Sequence, residues 1–236
     1  MPESPGLLYL VPTPIGNMAD LTRRAEEMLA AADLVACEDT RHSGRLLKAL
    51  GLNKRLISYH DFNERTRAEQ LIDLIRQGQT VAVITDAGSP GISDPAYRIV
   101  RTAIDNGITI IPLPGPTSII PALTASGLPT DRFFFEGFLP HKSGARRTRL
   151  ARLTEFDHTL VFFESPHRVV RSLEDIREVL GDRPACLARE LSKLHEEFLR
   201  GSVSEILAAL GGRTVRGEIV LIVGGADSLR QPREEG

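Results

Sequence analysis

Cysteine is scarce in this chain, long apolar runs are missing, and two loop-rich stretches carry no positive charge. Each absence narrows the possibilities. Only Cys37 and Cys186 occur among 236 residues, in separate segments and without metal-ligand spacing. Both read as small buried apolar residues in a reducing compartment, not as a disulfide or zinc framework. No run of about 18 apolar residues exists, so no membrane-spanning helix is predicted. The N-terminal stretch holds Glu3, has no basic n-region, and offers only residues 7–11 as an apolar core, too short for a signal peptide. A cytoplasmic location away from membranes is expected.

Common catalytic signatures are absent as well. There is no G-x-x-x-x-G-K-[ST] phosphate loop, no H-E-x-x-H helix, and no G-x-G-x-x-G after the first strand, where Val11-Pro-Thr-Pro-Ile-Gly-Asn17 stands instead. The six histidines are scattered, which argues against a metal site. Ser93 and Ser118 have no evident histidine partner, which argues against nucleophilic catalysis. With a net charge of -2, attraction to nucleic acid is not a property of the whole molecule, and any basic surface must be local.

Two Gly/Pro loops stand out, each following an apolar strand. The first, Thr85-Asp-Ala-Gly-Ser-Pro-Gly-Ile-Ser-Asp-Pro95, lies in a stretch from Val81 to Tyr97 without Lys or Arg. The second, Leu113-Pro-Gly-Pro-Thr117, lies in another such stretch from Gly107 to Asp131. Glycine lets a backbone approach a ligand closely, but a polyphosphate cradle normally adds a cation. A neutral or cationic small molecule held by main-chain groups is the better match.

Apolar strands and amphipathic helices alternate, which predicts an α/β fold with largely parallel strands. Strands are expected at 7–11, 34–37, 56–59, 81–85, 108–111, 133–138, 159–163, 184–188 and 218–223. Asp20, Asp94 and Ser165 are expected to cap helices, the last two followed by proline, and Gly78, Gly107 and Gly181 to stop them. A further helix is expected from Ser202 to Leu210. Prolines at 112–116 suggest two α/β domains, 1–113 and 117–225, with a cofactor cleft between them and a polar tail at 226–236.

The motifs so far, with Cys37-Glu-Asp-Thr-Arg-His42, Ser58-Tyr-His-Asp-Phe-Asn-Glu64, residues 133–140, Phe162-Phe-Glu-Ser-Pro-His-Arg168, Leu187-Ala-Arg-Glu-Leu191 and Arg216-Gly-Glu218, run in order over nearly the whole chain. This set resembles the tetrapyrrole-methylase superfamily of S-adenosylmethionine-dependent methyltransferases, and within it the branch that 2′-O-methylates a cytidine of 16S rRNA in the small ribosomal subunit. The resemblance implies two α/β domains, S-adenosyl-L-methionine as cofactor, and a homodimer. By motif position it implies cofactor contacts at Pro12, Asp86, Ala87, Gly88, Ser89, Ile92, Gly115, Thr117 and Ser118, and at Phe163, Glu164, Ala188, Gly217, Glu218 and Ile219. Members of the branch often carry a small additional C-terminal domain, whereas this sequence ends soon after residue 223, so RNA binding is expected to rely on other surfaces or a partner.

A ribose hydroxyl is a weak nucleophile that a positioned carboxylate can deprotonate. Glu38 and Asp39, at the end of a predicted strand, are the candidates, with Asp39 slightly preferred; a salt-bridge cluster with Arg41 is the competing reading. For RNA phosphates the basic stretch from His141 to Arg152 supplies Lys142, Arg146, Arg147, Arg149 and Arg152, and a second group comprises Arg41, His42, Arg65 and Arg67. Tyr59 and Phe62 are equally suited to stacking on a base or to packing in a core. The rival functions are methylation of a corrin or porphyrin precursor, and cofactor binding by a non-catalytic ribosome-assembly factor.

Overall fold

Short strands with alternating side chains give the N-terminal half a sheet that is buried on both faces. In a computed structural model that describes residues 6–229, the chain divides into two compact units, Met1–Thr117 and Ser118–Gly236. The first contains β1 (Leu8–Leu10), α1 (Arg23–Ala31), β2 (Leu34–Cys37), α2 (Thr40–Ala49), β3 (Arg55–Ser58), α3 (Glu64–Arg76), β4 (Val81–Val83), α4 (Tyr97–Asp105) and β5 (Ile110–Pro112). Its strands are all parallel, in the order β3-β2-β4-β1-β5.

Leu34 and Ala36 face one layer with Leu8, Val81 and Val83, and there meet Leu71, Ile72 and Ile75 of α3 and Ile99 and Ala103 of α4. Val35 and Cys37 face the other layer with Tyr9 and Ala82, and meet Ala25 and Leu29 of α1 and Leu47 of α2. Each fully buried Leu or Ile contributes roughly 1.5–3 kcal/mol, which lets strands of three or four residues hold. All five strands point the same way, so the loops that follow them gather at one edge.

The second unit contains α5 (Ile119–Thr124), β6 (Phe133–Phe138), α6 (Ser143–Ala151), β7 (Thr159–Glu164), α7 (Val169–Leu180), β8 (Pro184–Arg189), β9 (Glu197–Ser202), α8 (Val203–Leu210) and β10 (Ile219–Val223). Its strand order is β6-β7-β10-β8-β9. Here the expectation of largely parallel strands fails: only β6 and β7 run parallel, and the other three pairings are antiparallel. The short turn from Arg189 to Glu197 forces β8 and β9 into a hairpin. β9 was not expected at all, because Glu197 and Arg200 interrupt its apolar pattern; such charges suit an edge strand. The core joins Leu160, Phe162, Leu187 and Leu221 to Leu150 of α6, Leu173 and Ile176 of α7, and Val203 and Ile206 of α8.

Several helix starts shift from their expected positions. Asp20 closes a 3-10 turn, and Thr22 caps α1 through its hydroxyl, which accepts from the Ala25 amide at 3.1 Å. α4 begins after Ala96, not Asp94, because Gly91 (φ 86) and Ser93 (φ 60) hold the preceding loop in left-handed backbone. α7 begins after Arg168, because residues 165–168 form a separate turn in which the Ser165 carbonyl accepts from both the Arg168 and Val169 amides. Ser202 does cap α8, with the reciprocal Glu205 bond of a capping box. Residues 226–229, expected to begin a polar tail, form a 3-10 turn tied by the Ala226 amide to the Phe156 carbonyl at 2.7 Å; residues 230–236 lie outside the described region.

Both cysteines are free and fully buried, one in each unit. Burial raises the pKa of each thiol, that of Cys186 to about 11. Among the described residues no helix is long and apolar enough to cross a membrane.

Arg146 is the clearest correction to the sequence reading. It is 3% exposed, and its guanidinium meets the equally buried Asp175 at 2.5 and 2.7 Å while donating to the carbonyls of Pro140 and His141. It holds α6 to α7 and is not presented to a nucleic acid. We predict that Asp175→Ala, which strands this cation in the interior, lowers the unfolding free energy by about 3–5 kcal/mol. Urea titration of the variant checks this, and an Arg146→Met, Asp175→Leu double variant should regain most of the loss.

Candidate active site

At the carboxyl edge of the first sheet, three loops are locked together by main-chain bonds. The loop after β1 and the loop after β4 form an isolated antiparallel bridge: the Thr13 amide donates to the Gly88 carbonyl, and the Gly88 amide to the Thr13 carbonyl, both at 2.9 Å. The buried Thr13 hydroxyl adds a 2.9 Å bond to the Thr85 carbonyl. Gly88 sits at φ 84, in the left-handed region that glycine tolerates. The loop after β5 joins through the Ser89 hydroxyl, which donates to the Pro116 carbonyl at 3.3 Å. Gly115 lies so near Pro12 that a Cβ there would stand 2.8 Å from the proline Cβ.

Pro12, Asp86 to Ser89, Gly115 and Thr117 therefore share one edge, with Ile92 exposed at the outer end of its loop. Two of these residues also hold the loops in place. Both polar main-chain groups of Gly88 are used by Thr13, so Gly88 shapes the loop. One carboxylate oxygen of Asp86 accepts from the Asp39 amide at 3.4 Å, which ties the turn after β2 to the same edge.

The electrostatics of this edge separate Glu38 from Asp39. Asp39 caps α2: its Oδ1 accepts from the Arg41 amide at 2.8 Å, and its Oδ2 lies 3.3 Å from the Arg41 guanidinium. These bonds from Arg41 hold its carboxyl below the usual range. A carboxylate so well satisfied is a poor base, and the salt-bridge reading describes it. Glu38 is half-buried, and burial first, then the nearby charges of Asp86, Asp94 and Asp61, push its pKa upward, with His60 opposing. Asp94 is raised by burial too, with Asp86 and Asp61 adding to it. In sequence Asp94 reads only as a helix cap, and its acidic company is not visible there because Glu38 follows β2, Asp61 follows β3, and Asp86 and Asp94 follow β4. Among the described residues no group of His, Cys, Asp and Glu is arranged to hold a metal ion.

In the second unit, strand pairing assembles the other expected contacts at one end of its sheet. Ile219 pairs with both Glu164 and Arg189, and Val220 with both Phe163 and Ala188. Gly217, at φ 88, leaves room for the Glu190 carboxylate, which would collide with a side chain there and accepts from the Glu218 amide at 3.0 Å. This joins the Leu187–Leu191 and Arg216–Glu218 motifs. Phe163 packs edge-on against Phe135 and Phe138. The Glu164 side chain is buried and committed to the Ser165 amide, the Ser172 hydroxyl and Arg168. Only its backbone remains for a ligand. Ser118 opens α5 as its N-cap.

The basic stretch is less free than its sequence suggests. Arg147 is paired with Asp175 and Glu178, and Arg149 with Glu136. Lys142 and Arg152 are exposed, as are His42 and Arg65; Arg41 is exposed but bonded to Asp39. Tyr59 is core, its hydroxyl accepting from the Ile99 amide at 3.2 Å, whereas Phe62 is 99% exposed.

Fold and loop edge together describe a methylase of the tetrapyrrole type. The family model for Tetrapyrrole (Corrin/Porphyrin) Methylases matches residues 7–207. Among solved structures, a cobalt precorrin-4 methyltransferase, CbiF, aligns with a TM-score of 0.69 at 18% identity, covering 92% of this chain and 94% of that one. A uroporphyrin-III-C-methyltransferase from Thermus thermophilus aligns with a TM-score of 0.63 at 24% identity, covering 93% and 94%. At these identities the likeness concerns the fold. Proteins named ribosomal RNA small subunit methyltransferase I are far more similar in sequence. That of Escherichia coli O157:H7 is 52% identical over 97% of this chain and 84% of its own length, and that of Micromonospora olivasterospora 50% identical over 94% and 71%. The chain belongs to the ribosomal RNA small subunit methyltransferase I family within the tetrapyrrole methylases. It is a methyltransferase, and a corrin or porphyrin substrate is not favoured.

The sign of the Glu38 shift makes two predictions. A carboxylate raised in the folded state adds stability only while protonated and loses that contribution as pH rises through the folded value. Glu38→Gln should therefore be at least as stable as the parent at neutral pH, measured by thermal melting. For a base role, which requires the deprotonated form, we predict that kcat/KM rises with pH through the raised pKa of Glu38, and that Glu38→Gln loses that limb and about 10²-fold or more in kcat, while Asp39→Asn keeps the limb.

Proposed function

We propose that this protein transfers a methyl group from S-adenosyl-L-methionine to the ribose 2′-oxygen of a cytidine in 16S rRNA of the small ribosomal subunit. The observation that carries the reading is the edge of the first sheet, rich in carboxylates and main-chain groups and free of Lys and Arg from Val81 to Tyr97. Such an edge repels phosphate and suits a donor bearing sulfonium and ammonium charges. The names of the similar proteins support small-subunit rRNA as the acceptor.

When bound, the cofactor would supply a methyl group on a sulfonium whose S–CH₃ bond breaks as the acceptor attacks, its sulfur leaving as a neutral thioether that needs no proton. Pro12, Asp86, Ala87, Ser89, Ile92, Gly115 and Thr117 are proposed contacts to it, with Gly88 shaping the loop. Ser118, Phe163, Ala188, Gly217, Glu218, Ile219 and the Glu164 backbone are further proposed contacts. Orientation supplies most of the rate, because the chain has to hold the acceptor oxygen in line and keep it there. Glu38 accepts the hydroxyl proton as the new oxygen–carbon bond forms. Lys142, Arg147, Arg149, Arg152, Arg41, His42 and Arg65 contact phosphates and add affinity without reading sequence. The protein works in the cytoplasm as a homodimer.

The decisive experiment treats unmethylated small subunits with the purified protein and labelled cofactor, then maps modified nucleotides by mass spectrometry. A single 2′-O-methylcytidine in 16S rRNA is expected; label in no RNA overturns the reading. In binding titrations, Lys142→Ala and Arg152→Ala should each reduce the slope of log affinity against log salt by about one. Arg147→Ala and Arg149→Ala should reduce it less, because their charges are already partly neutralised.

A further inference from the structure

Phe62 is 99% exposed in a turn that has every means of holding its shape. The turn follows β3 and is pinned from both ends. Asn63 accepts from the His60 amide at 2.9 Å through Oδ1, donates from Nδ2 to the Ser58 carbonyl at 3.2 Å, and lies 3.1 Å from His60 Nε2. The Asn63 amide closes the turn on the His60 carbonyl at 2.9 Å. Beneath it, buried Tyr59 bonds to β2 through its amide and to α4 through its hydroxyl. A phenyl ring left in water forgoes roughly 1.5–3 kcal/mol of burial, and nothing in this turn requires an aromatic side chain for folding.

The surroundings define what the ring can receive. β3 adjoins β2, so the turn lies beside Glu38, whose ionisation responds to His60 and Asp61. Asp61, Asp86 and Asp94 give this edge negative charge, which keeps phosphates away from it. An RNA strand approaching here must offer its neutral parts, base and ribose, and leave its phosphates to cations farther out, such as exposed Arg65 and His42. A base is the component that an aromatic face recognises. The His60 ring contacts Phe62 edge-on at 6.0 Å and 66°, bracing one side of it.

We propose that Phe62 is the stacking platform for an unpaired base of the RNA substrate, and that by holding this base it positions the acceptor ribose at the acidic edge beside Glu38. The inference rests on the RNA-methyltransferase reading. Phe62 is a positioning residue and takes no part in proton or methyl transfer.

The test compares the full-length protein with its Phe62→Ala, Phe62→Leu and Phe62→Trp variants on unmethylated small subunits. Phe62→Ala and Phe62→Leu should raise KM for the RNA substrate by about 10- to 100-fold, with unchanged melting temperature and unchanged affinity for S-adenosylmethionine by calorimetry. Phe62→Trp should restore KM, which a merely apolar contact would not demand. A short RNA carrying 2-aminopurine should be quenched on binding by the parent and by Phe62→Trp but not by Phe62→Ala. Parent-like KM in Phe62→Ala, or rescue by Leu as complete as by Trp, overturns the inference while leaving the RNA reading intact. A change in sedimentation with unaltered KM would overturn it too, by assigning the ring to contact with a second copy. If the parent protein methylates no RNA, the underlying reading fails instead.

Discussion

The reciprocal pair of main-chain bonds between Thr13 and Gly88 is the constraint on which the candidate site depends. Strands β1 and β4 are three residues long and cannot by themselves fix the loops that follow them. The bridge adds an isolated antiparallel pairing beyond the ends of these two parallel strands, with Gly88 at positive φ. Asp86 is placed two residues before that point and captures the Asp39 amide, so the turn after β2 is registered against the loop after β4. At this edge burial first, and then the charges of Asp86, Asp94 and Asp61, raise the basicity of Glu38.

The edge thus solves an electrostatic problem by concentration of like charge. Separately, each of these acids would be an ordinary ionised surface group. Partly desolvated and close together, they favour a cation in their midst, and burial first, then their mutual repulsion, raises Glu38 and Asp94. Asp39 escapes this because Arg41 compensates it locally. Two adjacent carboxylates therefore differ in chemistry according to which neighbours the fold gives each one.

Much of this was legible from residues alone. The strands at 34–37 and 133–138 coincide with β2 and β6, the helix expected from Ser202 to Leu210 is α8 with Ser202 as its cap, and the Gly107 and Gly181 stops are where expected, because each follows from local periodicity or backbone preference. α2 escaped notice because Thr40 to Arg45 shows no apolar spacing, and β9 because its charges hide the alternation. The contrast between Asp39 and Glu38 is hidden for a different reason: Arg41 lowers the one, while burial and acids gathered from elements far apart in the chain raise the other. Arg146 and Arg147 look alike in sequence, yet the helix rotation of one residue puts the first in the core beside Asp175 and leaves the second half-exposed.

The placement of the two thiols carries a practical corollary. Cys37 sits on an inner strand of one sheet and Cys186 on an inner strand of the other, each sealed from solvent and disfavoured from ionising. An alkylating reagent gains access to either only when the surrounding layer opens. Nature has in effect installed one silent reporter per half. The order in which they become labelled along a denaturant gradient would disclose whether the halves melt in concert or in succession, without adding a single probe.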